Sequence, residues 1–208
     1  MKNVILKFSN IPPPYLKRIK LLQRQFISMT NAIALVASQS RCWNRVALHQ
    51  MVYYSMRARY PALGSQMTCN AIYAVCRAFR YLFQNPTSKV RFSELKTEKL
   101  PKVVFLDLSP VFFDLHTLSF KENYLSVFTP EGRIKFPVNL NSAEIKLIQS
   151  KKIKEIKMLA YKNTVEFQII FAESFGKNGM MPKVSFDNPE QYLFVRNKQK
   201  FIQSPLIA

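Results

Sequence analysis

The fold is decided by the stretch S-Q-M-T-C-N-A-I-Y-A-V-C-R-A-F-R-Y-L-F-Q, from Ser65 to Gln84. Its apolar residues recur every three or four positions, the spacing of one face of an α-helix; they are Ile72, Val75, Cys76, Phe79, Leu82 and Phe83. The same spacing predicts an opposite polar face with Gln66, Asn70, Tyr73, Arg77, Arg80 and Gln84. Ser65 is predicted to cap this helix, and Asn85-Pro86 to end it.

Two more helices are predicted on the N-terminal side. Pro14 is suited to open a helix that extends to about Val36, since apolar residues repeat at helical spacing between Leu16 and Ile33. A second helix is predicted from Arg41 to Arg59, because the residue before Pro61 leaves the helical region. Residues 3–8 precede these helices as a strand that the Pro12-Pro13-Pro14 run ends.

From Lys102 onward the apolar residues alternate, which predicts strands. The predicted strands are 103–108, 111–115, 117–120, 124–128, 133–138, 144–148, 155–161, 164–172 and 192–195. Several short antiparallel strands with frequent turns favour a barrel or a sandwich. The expected fold class is α+β: an antiparallel β-barrel with a basic three-helix insertion after the first strand, which returns to pair with later strands. The expected domains are the first strand (1–10), the helical insertion (11–95), the barrel (96–175) and a tail (176–208).

Charge is distributed very unevenly along the chain. The first 93 residues carry 14 basic side chains and no acidic one, a formal charge of +14 within the total of +19. A folded surface without internal counter-charges favours an external polyanion, most often a nucleic-acid backbone. No apolar run is long enough to cross a bilayer, no signal segment is evident, and the three cysteines are an odd number. The sequence therefore predicts a cytoplasmic protein with no membrane partner.

Catalytic and metal-binding patterns are not recognised. Cys69 and Cys76 lie seven residues apart, as do Cys42 and His49, and neither spacing suits a zinc site. The carboxylates are scattered, and no spacing places Asp107, Asp114 and Asp187 in one site. Four glycines and no G-x-S-x-G motif argue against a phosphate loop or a nucleophile elbow. The prediction is a protein that is not an enzyme by itself, with no catalytic residue, metal or cofactor.

Nucleic-acid binding is the function that the side chains favour. Arginine forms bidentate phosphate contacts, while tyrosine and histidine stack on unpaired bases. The predicted contact residues are Arg41, Arg45, His49, Tyr53 and Arg57 on the second helix, Gln66, Asn70, Tyr73, Arg77 and Arg80 on the third, and Arg133 and Lys135 on the barrel. The alternative is a solvated basic face with the tyrosines partly in the core. A cluster at Lys151, Lys152, Lys154 and Lys157 fits a solubilising turn as well as a phosphate clamp.

Two stretches of the chain are similar to TnpB proteins, the transposon-associated RNA-guided nucleases of insertion sequences and relatives of type V CRISPR effectors. The family's N-terminal recognition helices resemble R-V-A-L-H-Q-M-V-Y-Y-S-M-R-A-R-Y-P-A-L-G-S-Q-M-T-C-N-A-I-Y-A-V-C-R-A-F-R, from Arg45 to Arg80. Its wedge-domain strands resemble F-D-L-H-T-L-S-F-K-E-N-Y-L-S-V-F-T-P-E-G-R-I-K-F-P-V, from Phe113 to Val138. The resemblance covers roughly residues 1–172 and implies binding of structured guide-like RNA and of target DNA.

The resemblance stops before the catalytic half of that family. Family members continue into a RuvC-like nuclease domain with Asp, Glu and Asp metal ligands, and usually a Cys₄ zinc ribbon. Asp187, in V-S-F-D-N, lacks the flanking glycines of the first of these acids. The expectation is a TnpB-like recognition and wedge half without its nuclease domain. Two alternatives stay open: a subunit of a split RNA-guided nuclease with the RuvC-like domain on another chain, and a guide-free DNA-binding repressor or accessory factor.

Overall fold

The structure is a computed structural model that describes residues 3–86, 88, 100–121, 123–172, 192–197 and 200–202. Within these residues, helices and antiparallel strands make an α+β protein, as predicted. The helices are α1 (Pro13–Ser40), α2 (Arg45–Arg59), α3 (Gly64–Gln84) and α4 (Ser142–Ser150). The strands are β1 (Asn3–Phe8), β2 (Lys102–Phe105), β3 (Val111–Phe113), β4 (Leu118–Lys121), β5 (Tyr124–Val127), β6 (Ile134–Pro137), β7 (Ile153–Tyr161), β8 (Thr164–Phe171), β9 (Leu193–Asn197) and β10 (Lys200–Ile202).

The chain divides into two compact units. Unit 1 comprises Met1–Leu21 and Pro110–Asp187, and unit 2 comprises Leu22–Ser109 and Asn188–Ala208. α1 therefore contributes its first nine residues to unit 1 and the rest to unit 2. No helix among the described residues has the length and apolar character needed to cross a membrane.

Unit 1 contains a four-stranded antiparallel sheet in the order β1-β8-β7-β3 and a three-stranded sheet in the order β4-β5-β6. β1 pairs with β8 from Asn3 opposite Ile170 to Phe8 opposite Val165, which confirms that the first strand returns to a late one. Aromatic rings from four strands pack together in the core of unit 1. The ring centroid of Phe136 lies 4.8 Å from that of Phe8 and 5.8 Å from that of Phe167, and the centroids of Phe167 and Phe113 are 6.2 Å apart. Alternation in the sequence predicts strands at Phe113 and Phe136, and both residues lie on strands.

Unit 2 is built on the later part of α1, on α2 and α3, and on the sheet β10-β9-β2. α3 is its most buried helix, since 13 of its 21 residues are buried. Trp43, just before α2, packs with its ring centroid 6.2 Å from Phe79 and 5.5 Å from Phe83. The apolar stripe predicted on α3 is fully buried, as expected for residues that face a core.

Two helix starts differ from the predictions. α2 begins at Arg45 and not at Arg41, because the side chain of Asn44 accepts hydrogen bonds from the backbone N–H groups of Val46 and Ala47 and so caps the helix. Arg41 lies beyond the end of α1, at a φ of 53°. α3 begins at Gly64, directly after a 3₁₀ turn over Pro61–Leu63, so the assignment of Ser65 as its cap is wrong.

The strand predicted at 144–148 is also wrong. These residues lie in α4, where Asn141 and Glu144 form a capping box: each side chain accepts a hydrogen bond from the other residue's backbone N–H. The predicted barrel is corrected as well, since the described strands form three separate open sheets and no closed barrel. The predicted domain boundaries stay predictions, and most of the predicted tail lies outside the described residues.

Candidate nucleic-acid interface

α2 carries four of the twelve predicted contact residues, and they follow one line along the helix. Its buried line, Leu48, Val52 and Met56, packs inward. The predicted line begins exposed at Arg45 and becomes half-buried at His49, Tyr53 and Arg57. Each step of four residues overshoots a full helical turn by about 40°. The line therefore winds from the solvent side of α2 toward its packed side.

The structure brings four of these side chains into two ring contacts. The rings of His49 and Tyr53 are stacked, with centroids 4.5 Å apart and planes 20° from parallel. The guanidinium carbon of Arg45 lies 5.5 Å from the ring centroid of Tyr73 on α3, within the range of a cation–π interaction. Predicted residues on two different helices therefore meet at one surface of unit 2.

The polar face predicted on α3 is only partly present. Gln66 and Arg80 are exposed near the two ends of the helix, and Tyr73 and Arg77 are half-buried. Asn70, also predicted on this polar face, is buried, with 7% of its surface exposed. α3 is covered on most sides by unit 2, which leaves its ends as the places where polar side chains reach solvent.

Arg77 has a partner within unit 2. Its Nη1 donates a hydrogen bond to the hydroxyl oxygen of Tyr192 at 3.3 Å. Arg45 and Arg80, by contrast, form no ion pair with any residue that the structure describes, and both are exposed. Among the predicted contact arginines of α2 and α3, these two guanidinium groups are the ones best placed to meet an external anion.

Two buried nitrogen donors of unit 2 have no hydrogen-bond acceptor among the described residues. They are Nη1 of Arg57 and Nδ2 of Asn70. A buried donor without an acceptor costs about 1–3 kcal/mol. Arg57 is half-buried and lies on the predicted line of α2, and this nitrogen is closed off from solvent.

The residues predicted on the barrel lie in unit 1, and they differ in availability. Arg133 donates four hydrogen bonds: to Ser126 Oγ and Ser126 O, to Ser119 Oγ, and to the carbonyl of His116. Its guanidinium group is thus already hydrogen-bonded to residues of β4 and β5. Lys135 is exposed, and its Nζ lies 5.8 Å from the ring centroid of Tyr124. Of the two, Lys135 is the freer cation.

Tyr54, which is 82% exposed, is not among the contact residues predicted from the sequence. Its ring meets that of Tyr53 edge-on, with centroids 5.3 Å apart. A signal for it was present, since Tyr54 follows Gln50 by four residues and falls outside the line of Leu48, Val52 and Met56. That spacing places it on the solvent side of α2.

The three cysteines are not arranged as a metal site within the described residues. Within the described part of the chain, no group of three or more His, Cys, Asp or Glu side chains is placed to hold a metal ion. Cys42 and Cys69 are half-buried, and Cys76 is buried. Burial raises the pKa of Cys76 to about 11, against a smaller lowering by the charge of Arg80. At neutral pH this thiol is protonated and behaves as a small apolar side chain.

The surface on α2 and the ends of α3 thus combines exposed arginines with stacked rings. Arg45 contacts Tyr73 there, His49 stacks on Tyr53, and Tyr54 extends the rings outward. We name this set of five residues, together with Arg57 and Arg80, the basic–aromatic surface. No protein-family profile matches the chain, and no curated protein is significantly similar to it.

Proposed function

We propose that the protein binds nucleic acid through the basic–aromatic surface of unit 2. In its most specific form the proposal follows the resemblance to TnpB proteins: the chain binds a structured guide-like RNA in the cytoplasm, and with it a target DNA. The strand cleavage of the resembled family would not be carried out by this chain.

One observation carries the proposal. Arg45 and Arg80 are exposed and form no ion pair with a described residue, and no acidic side chain occurs in residues 1–93 that could provide one locally. In a solvated helix face, arginines are commonly paired with acids three or four residues away. Here the counter-charge has to come from outside this part of the chain, and phosphates match guanidinium geometry.

The rings support a nucleic acid over a small anion. A stacked His49–Tyr53 pair beside Arg45 offers planar apolar surface next to positive charge. Nucleic acids present planar bases together with phosphates, whereas a free phosphate or an acidic peptide lacks the bases.

The test is to purify the protein from its native host without nuclease treatment, and to sequence the nucleic acid that co-purifies. We expect one enriched structured RNA that raised salt releases. The matched control is the Arg45→Gln/Arg80→Gln variant, which should recover much less of it. Recovery of bulk cellular RNA only, or of none, would refute the guide-RNA form of the proposal.

The same preparation separates the two alternatives. DNA that remains bound after RNase treatment would favour a guide-free DNA-binding repressor or accessory factor. A co-purifying RuvC-like polypeptide, identified by mass spectrometry, would favour a split RNA-guided nuclease. Recovery of the RNA without such a polypeptide counts against the split form.

A further inference from the structure

The solvent side of α2 exposes apolar surface that phosphate binding does not explain. Val46 is 69% exposed, Met51 49% and Tyr54 82%. Val46 and Tyr54 lie eight residues apart, with Gln50 between them and Ala58 beyond, so that one line along the helix carries no charge. Single exposed apolar residues are ordinary, but a group of them commonly marks a binding surface.

An array of rings connects this line to the basic–aromatic surface. His49 stacks on Tyr53 at 4.5 Å, and Tyr53 meets Tyr54 edge-on at 5.3 Å. His49 and Tyr53 are half-buried, while Tyr54 is the outermost of the three. The half-buried ring of His49 stacks on the half-buried ring of Tyr53 and holds it in position. The ring of Tyr54 rests against Tyr53. Tyr54 is therefore a supported ring whose surface is mostly open to a ligand.

The charges around the array favour one class of ligand. Arg45 and Arg59 are exposed at the two ends of α2, and the stretch from residue 1 to 93 contains no acid. A ligand that suits both features is negatively charged and offers flat apolar faces. Unpaired nucleotides do so, because their bases are not covered by neighbouring base pairs. In a duplex the base faces are buried in the stack, which leaves mainly phosphates and groove edges.

An acidic amphipathic peptide is the competing ligand, and the pattern fits it less well. Such a helix needs a groove that receives side chains at positions i, i+3 or i+4, and i+7. The exposed apolar surface of α2 is a narrow line on a single helix, with Gln50 inside it. That arrangement provides stacking surface for one ring at a time.

We propose that an unpaired nucleobase stacks on the ring of Tyr54, so that the His49–Tyr53–Tyr54 array selects a single-stranded segment of the ligand. This inference rests on the proposed function, since the arginines bring the nucleic acid to the surface. It adds a preference that phosphate contacts alone do not provide, because phosphate contacts carry no information about pairing.

The test compares Tyr54→Leu, which keeps an apolar side chain, with Tyr54→Phe, which keeps the ring. Each variant and the wild type are titrated with an unstructured RNA that contains 2-aminopurine, and with a blunt duplex of the same sequence. We expect Tyr54→Leu to weaken single-strand binding about tenfold and duplex binding less than twofold. The quenching of 2-aminopurine on binding should fall in Tyr54→Leu and persist in Tyr54→Phe.

Two outcomes would overturn the stacking proposal: equal losses on the single strand and the duplex, or a loss in Tyr54→Phe as large as in Tyr54→Leu. An acidic amphipathic peptide that competes with the RNA for wild type but not for Tyr54→Leu would also overturn it. In each case wild-type binding that weakens with salt leaves the proposed function standing. A wild type that binds neither RNA at low salt contradicts the proposed function itself. Because Tyr54 is exposed, circular dichroism should show the same fold in all three proteins.

Discussion

The guanidinium group of Arg45 lies over the ring of Tyr73, 5.5 Å from its centroid, and so links the first turn of α2 to the middle of α3. Arg45 is exposed and Tyr73 is half-buried. The ring thus supports a cation that would otherwise sample many rotamers in solvent. In the proposed function this contact holds Arg45 ready for a phosphate, at a lower cost in side-chain entropy.

The first prediction concerns this support. Tyr73→Leu should weaken RNA binding about two- to fivefold, because it removes a cation–π contact and frees Arg45. Arg45→Gln should weaken it about tenfold, since a charge-assisted contact is lost. Fluorescence anisotropy with a labelled RNA measures both. The double variant should bind about as weakly as Arg45→Gln alone, and strictly additive losses would show that the two residues act separately.

The second prediction concerns Arg18 in unit 1. Its Nε and Nη2 donate to Thr129 Oγ1, and Nη2 also donates to the carbonyls of Glu131 and Gly132 in the β5–β6 turn. Arg18→Met should lower the free energy of unfolding by about 2 kcal/mol, because Thr129 Oγ1 and the carbonyl of Glu131 lose the donors of Arg18, while the carbonyl of Gly132 keeps those of Thr129. Urea denaturation followed by circular dichroism measures the change. Lys17→Met, at an exposed neighbouring position, is the control and should change stability by less than about 0.5 kcal/mol.

The third prediction concerns Asn31 in unit 2. Its side chain forms two hydrogen bonds with the backbone of Phe105: Nδ2 donates to the carbonyl at 3.0 Å, and Oδ1 accepts from the N–H at 2.8 Å. The side-chain amide thereby forms the two backbone hydrogen bonds that a neighbouring strand would form with Phe105, the last residue of β2. Asn31→Ala should destabilise unit 2 by about 1–3 kcal/mol. Trp43 is the only tryptophan, and its fluorescence during urea denaturation reports on this unit.

Asn31→Asp is the informative companion variant. It keeps an acceptor for the N–H of Phe105 but loses the donor to the carbonyl, and it places a carboxylate beside that oxygen. Its loss of stability at pH 7 should equal or exceed that of Asn31→Ala. A stability equal to that of the wild type in both variants would mean that these hydrogen bonds contribute nothing measurable.

Two elements of unit 1, α4 and β1, show which parts of the fold could be predicted from the sequence and which could not. The box of Asn141 and Glu144 was readable as N-S-A-E, but alternation in E-I-K-L-I from Glu144 to Ile148 competed with it and led to a strand prediction. β1 was expected to meet a late strand, yet its partner β8 begins more than 150 residues away, and no local pattern identifies it. Such pairings depend on which strands the whole chain brings together.

The candidate site was predictable on α2 and less so on α3. Spacing predicts Arg45, His49 and Tyr53 on one side of a helix, and in the structure Arg45 contacts Tyr73 while His49 stacks on Tyr53. Asn70 follows the same spacing and is buried, because part of the polar face of α3 is covered as well as its apolar face. Amphipathic patterning assumes one solvent side, and a central helix does not satisfy that assumption.

The fourth prediction concerns Cys76 and pH. Burial raises its pKa from 9.0 to about 11. The unfolded chain releases this proton at a lower pH than the folded protein does, so stability is fully present below about pH 9 and declines as pH rises through about 11. Cys76→Ala should remove this contribution to the decline. Urea denaturation of both proteins at pH 8 and pH 10.5 measures the difference, and an identical pH dependence would contradict the assignment.

The central claim is that Arg45 and Arg80 bind phosphates, and the dependence of RNA affinity on salt tests it most directly. Each phosphate contact contributes about 0.7 to 0.9 to the slope of log affinity against log salt. We predict that Arg45→Gln/Arg80→Gln weakens binding and flattens the slope by about 1 to 2. The control is Lys121→Gln/Lys162→Gln, which removes the same charge from exposed positions of unit 1 and should leave the slope within about half a unit of the wild type. A slope unchanged by the arginine pair, or flattened equally by the lysine pair, would contradict the account.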